Sequence, residues 1–529
     1  MTEFEIIQKL LANRGLTTKE TVEEFFHPAH PKDISSPFDS KSAIQLIKSH
    51  IKSGNKIYIY GDYDVDGICA TAILWETLYP QYQNVFPHIP HRRDEGYGLS
   101  QKGIDHCLEQ GAKLIITVDN GITALDQVKY CRDKDCDIII IDHHEPADTL
   151  PPANEVLYSS DTCAAGLTWF FCRDFTRTCD LKPNPSLLEL VALATICDIV
   201  PLLGTNRSFA KFGLEELNRT ARPGLLALFK EANLISNSLT PYHVGFIIGP
   251  RLNAAGRLEH ALDSLRLLCI RDPQKAESLA NKLGETNRTR QDLTRSSVEH
   301  AFSQINLTSV IVTAHESFDE GIIGLIAAKL VEKHHHPAIA ISIRPTISKG
   351  SARSVPGFHI TEHLRTASHL LVNVGGHAMA AGFTVETSQI QELISHISNP
   401  DISPDLLIKK PRVDCEISLE QINLDLYSQL KLFEPYGLGN PTPVFLTKNV
   451  TISNPRHIGK QNQHLKFNIN GLEAIYFNPP SPELRRGAGS EVDLTYQIDL
   501  NTWNGQSRLQ LIVKDIQAQD SNYDVRRDL

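Results

Sequence analysis

Three aspartates stand at alternate positions in the segment YGDYDVDG, directly after the apolar run KIYIY. The carboxylates of Asp62, Asp64 and Asp66 repel one another at this spacing unless a cation neutralises them. A short apolar run rich in isoleucine and tyrosine is typical of a buried strand. The segment therefore predicts a strand that delivers carboxylates to a divalent cation.

Two further apolar runs end in residues of similar chemistry. LIITV leads into Asp119, and DIIIID leads into Asp142, His143 and His144. The carboxyl ends of parallel strands share one edge of a sheet, where ligands bind, so these side chains are expected to meet. Asp198 follows the apolar run LVALATIC, where an unpaired charge is costly to bury. Mixed oxygen and nitrogen ligands suit Mn²⁺, oxygen ligands suit Mg²⁺, and two such ions about 4 Å apart can clamp a phosphodiester and activate water.

The residues alone leave alternatives open for this cluster. D-x-D-x-D-G opens the helix-loop-helix calcium loop, but that loop needs a glutamate at its twelfth position, where this chain has Ile73. A solvated surface turn is the second alternative. Asp119 or His143 taken singly is also compatible with helix capping or a surface pair. Because all the acidic groups fall at one predicted edge, we favour the metal site.

The elements that position these residues follow an α/β pattern. From Lys56 to about residue 260, apolar runs alternate with helical segments, which predicts a parallel sheet covered by helices on both faces. Residues 272–305 predict one long, mostly polar helix, and a second α/β region closes near residue 400. Short alternating strands beyond Pro411 predict a small β-barrel or sandwich.

Composition places the 529-residue chain among ordinary globular proteins, with 41% hydrophobic and 22% charged residues. It excludes collagen, disordered polyelectrolytes and small disulfide-stapled proteins. The formal charge of −10 gives no sign of a nucleic-acid partner, although whole-chain charge hides local patches. Ten cysteines without a C-x-x-C pair predict reduced thiols. The acidic, amphipathic N-terminus and the lack of a long apolar run predict no signal peptide and no membrane span, hence a cytoplasmic protein.

Several segments together resemble a known family. GDYDVDG, VDNG, IDHHE and ATICDIVPL are similar, in order and separation, to the four motifs of the DHH phosphoesterase superfamily, and GGHAMAAGF resembles the glycine-rich motif of the associated DHHA1 domain. Within the superfamily, IPHRRDEGYGLS, GPRLNAAGRL, EGIIGLIAAKL and SARSVPGFHI resemble the RecJ family of single-strand-specific exonucleases. The likeness extends over nearly the whole chain.

The resemblance implies two α/β lobes joined by a long helix, followed by an OB-fold. The implied divisions are a helical lead-in (1–45), a DHH catalytic domain (46–260), a connecting helix (261–305), a DHHA1 domain (306–405), an OB-fold nucleic-acid-binding module (406–520) and a polar tail (521–529).

The resemblance also implies roles for the clustered residues. The implied ligands of two Mn²⁺ or Mg²⁺ ions are Asp64, Asp66, Asp119, His143 and Asp198. Asp119 would bridge the ions, Asp62 would be a ligand or a close neighbour, and His144 would contact the scissile phosphate. These last three are the implied catalytic residues. Where other branches of the superfamily have a histidine, this chain has Tyr60, so one metal site would depend on Asp62 or water.

A separate set of residues is implied to bind the nucleic acid. Its members are Arg92, Tyr97, Arg251, Ser351, Arg353 and His377. Arg92, Ser351 and Arg353 would hold a terminal 5′-phosphate, for which the bidentate geometry of arginine is suited. Tyr97 is either a base-stacking platform or a packed loop aromatic. The run His334–His336 is interpreted as a connector after a helix rather than a metal site.

The function that the resemblance implies is metal-dependent hydrolysis of single-stranded DNA from the 5′ end to mononucleotides, in recombination and repair. A DHH phosphodiesterase for cyclic dinucleotides or short oligoribonucleotides is the alternative, and a non-catalytic DNA-binding scaffold is a third. The implied partners are single-stranded DNA, single-strand-binding protein and a RecQ-type helicase, and the implied state is a monomer without membrane association.

Overall fold

The computed structural model describes residues 2–92, 94–96, 98–305, 307–410, 412–479, 491–503, 505–517 and 524–525. The chain forms two compact units. The larger unit contains residues 36–198 and 213–409, and the smaller unit contains residues 1–35, 199–212 and 410–529.

The helices and strands are numbered here in chain order. The α-helices are α1 (Glu3–Ala12), α2 (Lys19–Phe26), α3 (Lys41–Lys52), α4 (Val65–Leu78), α5 (Gln101–Glu109), α6 (Leu125–Asp133), α7 (Ala164–Thr178), α8 (Leu187–Cys197), α9 (Gly204–Leu217), α10 (Pro223–Glu231), α11 (Pro241–His243), α12 (Gly249–Leu258), α13 (Leu262–Cys269), α14 (Pro273–Gln304), α15 (Ile323–His334), α16 (Ile360–Arg365), α17 (Ile390–Ile397) and α18 (Leu424–Lys431). The strands are β1 (Lys56–Tyr60), β2 (Val85–His88), β3 (Ala112–Val118), β4 (Asp137–Asp142), β5 (Glu155–Tyr158), β6 (Ile311–His315), β7 (Ala338–Ser342), β8 (Ile347–Arg353), β9 (Leu371–His377), β10 (Ala380–Glu386), β11 (Arg412–Val413), β12 (Cys415–Glu416), β13 (Phe445–Thr451), β14 (Ser453–Ile458), β15 (His464–Ile469), β16 (Leu472–Tyr476), β17 (Glu491–Trp503), β18 (Gln506–Gln517) and β19 (Asp524–Val525).

The first sheet of the larger unit is parallel throughout and has the strand order β2-β1-β3-β4-β5. Its central strands are continuous apolar runs because both faces are covered, and Ile59, Ile116 and Ile139 are fully buried. Strands β1, β3 and β4 are neighbours, so their carboxyl ends lie side by side. The predicted parallel α/β architecture is confirmed.

A second sheet in the larger unit has the order β6-β7-β8-β10-β9. Only β6 and β7 are parallel, and the remaining pairs are antiparallel. The segment GGHAMAAGF forms a hairpin between β9 and β10, with His377 paired to Ala380. Helix α14 is the predicted long helix that links the two lobes, capped by the Asp272 side chain at its first turn.

The smaller unit contains a seven-stranded sheet of order β12-β13-β17-β18-β16-β15-β14. Residues from the start of the chain complete its core, since Ile6, Leu10 and Phe25 pack in the same cluster as Phe445 and Tyr496. The fully buried Arg207 anchors residues 199–212 to this unit. Its guanidinium lies 3.7 Å from the Phe25 ring centroid and donates hydrogen bonds to the carbonyls of Phe25, Leu432, Phe433 and Glu434.

All ten cysteines are free thiols, and most are buried. Within the described ranges, no helix combines the length and apolar character that crossing a membrane requires. Helix α15 ends at His334, and His335 follows in the left-handed conformation, so the histidine run is the predicted connector.

Candidate metal centre

The loop between β1 and α4 holds its aspartates through the first turn of the helix. Asp64 is the N-cap of α4, and its Oδ1 accepts hydrogen bonds from the backbone N–H groups of Asp66 and Gly67. Asp66 is itself buried, and its two carboxylate oxygens accept hydrogen bonds from the N–H groups of Ala164 and Ala165 at 2.7 and 2.8 Å. These amides begin α7, so a helix N-terminus fixes this carboxylate.

Gly67 is required by the close approach of α4 to the preceding loop. A Cβ on this residue would lie 2.6 Å from the Asp62 nitrogen and 2.7 Å from its Cα. We expect Gly67→Ala to lower the free energy of unfolding by about 1–3 kcal/mol, because the backbone must shift to relieve the overlap. The shift would also displace the Asp62 and Asp64 carboxylates, so hydrolytic activity should fall further than stability alone explains.

Urea denaturation and activity assays of Gly67→Ala test this expectation, with Gly245→Ala as the matched control. A Cβ on Gly245 would meet only Ile196, at an ordinary 3.9 Å. Equal behaviour of the two variants would show that the loop tolerates a side chain at Gly67.

The ends of β3 and β4 bring Asp119 and His143 against the first loop. Asp119 directly follows β3 with a φ of 65°, a left-handed conformation that aspartate tolerates better than most residues. The His143 Nε2 atom lies 3.3 Å from Asp119 Oδ1, 3.7 Å from Asp66 Oδ2 and 3.8 Å from Asp198 Oδ2. Asp198 reaches this point from the C-cap position of α8 rather than from a strand.

Three overlapping triads place one ligand atom of each residue within 4.8 Å of the others. These triads are Asp62 with Asp64 and Asp119, Asp119 with His143 and His144, and Asp66 with His143 and Asp198. The structure thus brings together all seven of the residues that the sequence assigned to metal binding or catalysis. Asp119 and His143 each belong to two triads, so they occupy the middle of the group.

The electrostatics of the cluster fit a bound cation. Burial, and then repulsion from neighbouring carboxylates, raises the pKa of Asp62 and of Asp119 well above the usual range, and raises the pKa of Asp198 to about 9. Burial also lowers the pKa of His143, which favours the neutral imidazole that binds metals. Asp62 Oδ1 and His143 Nε2 are buried without a hydrogen-bond partner among the described residues. Oxygen and nitrogen donors in this state fit Mn²⁺ or Mg²⁺.

His144 is oriented by Asp142, a residue to which the sequence analysis gave no role. Asp142 Oδ1 lies 2.7 Å from His144 Nδ1 and also accepts from the backbone N–H groups of His143 and His144. Burial lowers the pKa of His144, but the hydrogen bond to Asp142 and the negative charges of the neighbouring carboxylates together outweigh it and raise the pKa to about 9. His144 shares a triad with Asp119 and His143, so its ring lies beside the candidate metal ligands.

An arginine group lies beside the cluster. The Arg92 guanidinium lies 5.0 Å from the centroid of the Tyr63 ring. Arg353 on β8 donates to Ser351 Oγ at 3.2 Å, and burial and then repulsion from Arg92 lower its pKa. Gly324 leaves room for this pair, since a Cβ there would lie 2.9 Å from Arg353 Nη2 and 3.2 Å from Ser351 Oγ. Closely spaced arginines favour binding of an anion such as a phosphate.

The other candidate nucleic-acid-binding residues do not form one group with Arg92 and Arg353. His377 ends β9 and is exposed, and β10 separates it from Arg353, because Ala380 pairs with both residues. Arg251 forms an ion pair with Glu231 and donates to the Ile247 carbonyl. Tyr97 lies outside the described residues.

Helix α12 supports the loop that carries the aspartates through Asn253. Asn253 Oδ1 accepts a hydrogen bond from the Val65 N–H, at the start of α4. Arg257 lies on the same helix, α12, and donates to the Gly321 carbonyl. The segment GPRLNAAGRL, which contains both, was noted in the sequence, but periodicity alone does not show that its helix packs on the metal loop. Tyr60 points away from the cluster into the core and donates to the Gly98 carbonyl.

A parallel sheet that delivers aspartates and histidines from adjacent strand ends to one buried cluster, with a second mixed lobe alongside, defines a DHH-type phosphoesterase. Family models agree with this class. The DHH family N-terminal domain matches residues 56–195, the DHHA1 domain matches 307–399, and the RecJ OB domain matches 413–515.

Comparison with known proteins identifies the family within this class of phosphoesterases. A single-stranded-DNA-specific exonuclease RecJ from Bacillus subtilis is 34% identical over 96% of this chain and 67% of the relative, and the Haemophilus influenzae protein of that name is 31% identical over 91% of each. A crystal structure of RecJ with Mn²⁺ from Thermus thermophilus matches with a TM-score of 0.86 and 26% identity, over 98% of this chain and 76% of that one. The chain belongs to the RecJ family.

Proposed function

We propose that this protein is a metal-dependent exonuclease that hydrolyses single-stranded DNA from its 5′ end to mononucleotides, in recombination and repair. The observation that carries the proposal is the group of four carboxylates and His143, in which Asp66 and Asp119 are buried, beside the arginine group of Arg92 and Arg353. The names of its relatives, single-stranded-DNA-specific exonucleases, support the substrate.

The residues that would hold two divalent ions, Mn²⁺ or Mg²⁺, are Asp64, Asp66, Asp119, His143 and Asp198. Ions bound there would neutralise charge on the scissile phosphate and activate water. Asp62 adds a buried carboxylate oxygen that no described group satisfies. His144, held by Asp142, would contact the scissile phosphate. Asp142 therefore acts as a positioning residue for His144.

The arginine group supports digestion from the 5′ end. Arg92, Arg353 and Ser351 would bind the terminal 5′-phosphate by charge-assisted hydrogen bonds. A terminal phosphate held beside the metal cluster leaves the next phosphodiester closest to the metal ligands. Each cleavage then releases one 5′-terminal nucleotide, and the shortened strand presents a new 5′-phosphate.

The test is digestion, with Mn²⁺, of one oligodeoxynucleotide labelled at either end. We expect the 5′ label to appear in mononucleotide before the 3′ label does, and blunt duplex to be digested much more slowly. Loss of the 3′ label first, or equal digestion of duplex, would contradict the proposal.

The alternative is a phosphodiesterase for cyclic dinucleotides or short oligoribonucleotides, which would use the same acidic cluster. Digestion of those substrates together with inert single-stranded DNA would favour it. The OB domain match at residues 413–515 favours the longer substrate, because such folds bind single strands.

We infer a cytoplasmic monomer that works with single-strand-binding protein and a RecQ-type helicase, because an exonuclease for single strands needs a partner that exposes them. Size-exclusion chromatography with light scattering tests the monomer, and pull-down with each purified partner tests the associations.

A further inference from the structure

The loop that carries Arg92 leaves the carboxyl end of β2 and leads into α5. Because β2 is parallel to β1, this loop starts at the same edge of the sheet as the metal ligands. Arg92 interacts electrostatically with Asp62 in the metal cluster and with Arg353 on β8. An arginine on a loop binds a phosphate more tightly when the backbone that carries it is already held in place.

Glu95 holds the backbone immediately before Arg92. Its Oε1 atom accepts a hydrogen bond from the His91 N–H at 2.9 Å, and its own N–H donates to the His91 carbonyl at 2.8 Å. Both polar groups of the His91 main chain are thus bonded to one residue. The N–H of Asp94 also donates to that carbonyl, at 3.1 Å, so residues 91–95 form a closed turn. Arg92 is the second residue of this turn.

The second carboxylate oxygen of Glu95 fastens the turn to the sheet. Glu95 Oε2 lies 2.9 Å from His88 Nε2, and each of these two side chains is only 11% exposed. His88 ends β2 and pairs with Tyr60 on β1, and the centroids of their rings are 4.8 Å apart. Strand β1 leads directly into the aspartates, so Glu95 connects the Arg92 turn to the strand ends that position the metal ligands.

Helix α5 packs closely on the Glu95 carboxylate. A Cβ on Gly103 of this helix would lie 2.8 Å from Glu95 Oε2, so the helix confines the carboxylate. Burial raises the pKa of Glu95, but hydrogen bonds from the His88 ring and the His91 N–H, and the charges of nearby histidines, together lower it below the usual value. Glu95 is therefore ionised at neutral pH, and a charged acceptor forms the stronger hydrogen bonds.

We propose that Glu95 is a positioning residue that sets the preference of the nuclease for a 5′-phosphate over a 5′-hydroxyl. By fixing the main chain of His91, the Glu95 carboxylate places the Arg92 guanidinium where it can bind the terminal phosphate. Glu95 has the same charge as that phosphate, so it acts through Arg92 rather than by contact with the substrate. The inference rests on the proposed function, since it takes Arg92 to bind the 5′-phosphate.

The experiment measures kcat/KM with Mn²⁺ for the first cleavage of two oligodeoxythymidylates, one with a 5′-phosphate and one with a 5′-hydroxyl. The ratio of the two values reports recognition of the terminal phosphate, because a loss of folded enzyme lowers both values equally. Glu95→Ala should reduce the ratio about tenfold, the effect of one charge-assisted hydrogen bond. Glu95→Gln should reduce it less, because the amide oxygen can still accept from the His91 N–H.

Two further variants separate positioning from a loss of structure. Asp137→Asn alters a similar pair, since Asp137 Oδ2 lies 2.9 Å from His50 Nε2, but Asp137 begins β4 at the opposite end of the sheet from the metal ligands. This control should leave the ratio unchanged. In an Arg92→Gln background, Glu95→Ala should reduce the ratio no further, because the two residues act through one contact.

A wild-type protein that digests single strands, together with a Glu95→Ala variant that keeps the wild-type ratio, would contradict the inference and leave the nuclease function intact. Additive effects of Glu95→Ala and Arg92→Gln would also contradict it. If the wild type hydrolyses no single strand, the proposed function fails, and fluorescence anisotropy in EDTA compares binding of the same two strands. Tighter binding of the phosphorylated strand that is reduced in Glu95→Ala then supports the inference, and an unchanged or absent preference contradicts it.

Discussion

Asp119→Asn is expected to reduce the rate of hydrolysis about a thousandfold or more. Asp119 belongs to two of the three triads, so its loss affects the ligands of both proposed ions. Metal stabilisation of a phosphoryl transition state contributes several kcal/mol, and about 1.4 kcal/mol is a factor of ten in rate. Initial rates with Mn²⁺ and a 5′-labelled single strand measure the loss.

The same substitution should stabilise the metal-free protein. Asp119 is 2% exposed, and burial together with four neighbouring carboxylates opposes its charge. The neutral amide has nearly the same shape and removes that repulsion, so the unfolding temperature in EDTA should rise. Mn²⁺ should then raise the unfolding temperature of the wild type and leave that of Asp119→Asn almost unchanged. At a concentration of a hundred times Kd, a ligand adds about 2.7 kcal/mol to stability.

Asp126→Asn is the control for this pair of measurements. Asp126 is exposed in the first turn of α6, shortly after Asp119 in the chain, and belongs to none of the triads. It should behave as the wild type in rate and in its response to Mn²⁺. An Asp119→Asn protein that is less stable in EDTA and still responds to Mn²⁺ would show that Asp119 has a structural role instead.

The sequence could predict those ligands that immediately follow apolar strands. Asp64, Asp119 and His143 follow β1, β3 and β4, and parallel strands in adjacent positions must bring their carboxyl ends together. Asp198 was predicted on a different ground, the cost of a charge after an apolar run. It reaches the cluster from a helix end, which a strand-based argument alone would not place.

Roles that depend on a single hydrogen bond were not predictable. Asp142 stands next to His143 and His144, yet its function depends on its 2.7 Å contact with His144, which spacing does not reveal. The backbone amides of Ala164 and Ala165 that hold Asp66 have no side-chain signal at all. Tyr60 stands where other branches of the superfamily have a histidine, and its ring packs in the core instead of reaching the cluster.

Contacts between distant parts of the chain could not be predicted from the sequence either. The periodicity of apolar residues predicts the helices of residues 1–35, but it does not show that Ile6 and Phe25 pack with Phe445. Arg207 gave no signal, since a charged residue in a helical segment is normally solvated. Its burial follows from backbone carbonyls that only the folded smaller unit brings together.

The largest expected loss of stability comes from Arg222, which the sequence likewise did not single out. Arg222 is 4% exposed and bonds to Glu76 on α4, to Glu189 on α8 and to the Leu268 carbonyl at the end of α13. Burial lowers its pKa, but the bonds to Glu76 and Glu189 outweigh this effect and raise it. Arg222→Met should lower the free energy of unfolding by about 3–5 kcal/mol, because the buried Glu189 and Glu76 both lose this arginine and only the largely exposed Arg271 still pairs with Glu76.

Urea denaturation followed by tryptophan fluorescence, to which Trp75 and Trp169 contribute from the larger unit, measures this loss. Arg266→Met is the control, since Arg266 is exposed and pairs with Asp263 on its own helix, and it should change stability by no more than about 0.5 kcal/mol.

Replacing Glu76 and Glu189 by leucine in the Arg222→Met background should recover most of the loss, because an apolar cluster of similar volume has no unpaired charge. If Arg222→Met lowers the free energy of unfolding no more than the control does, water must reach the carboxylates. If the triple variant is even less stable than Arg222→Met, the loss of stability comes from packing rather than from unpaired charge. Either result would also bear on the metal centre, because α4 carries Asp66 and α8 leads into Asp198.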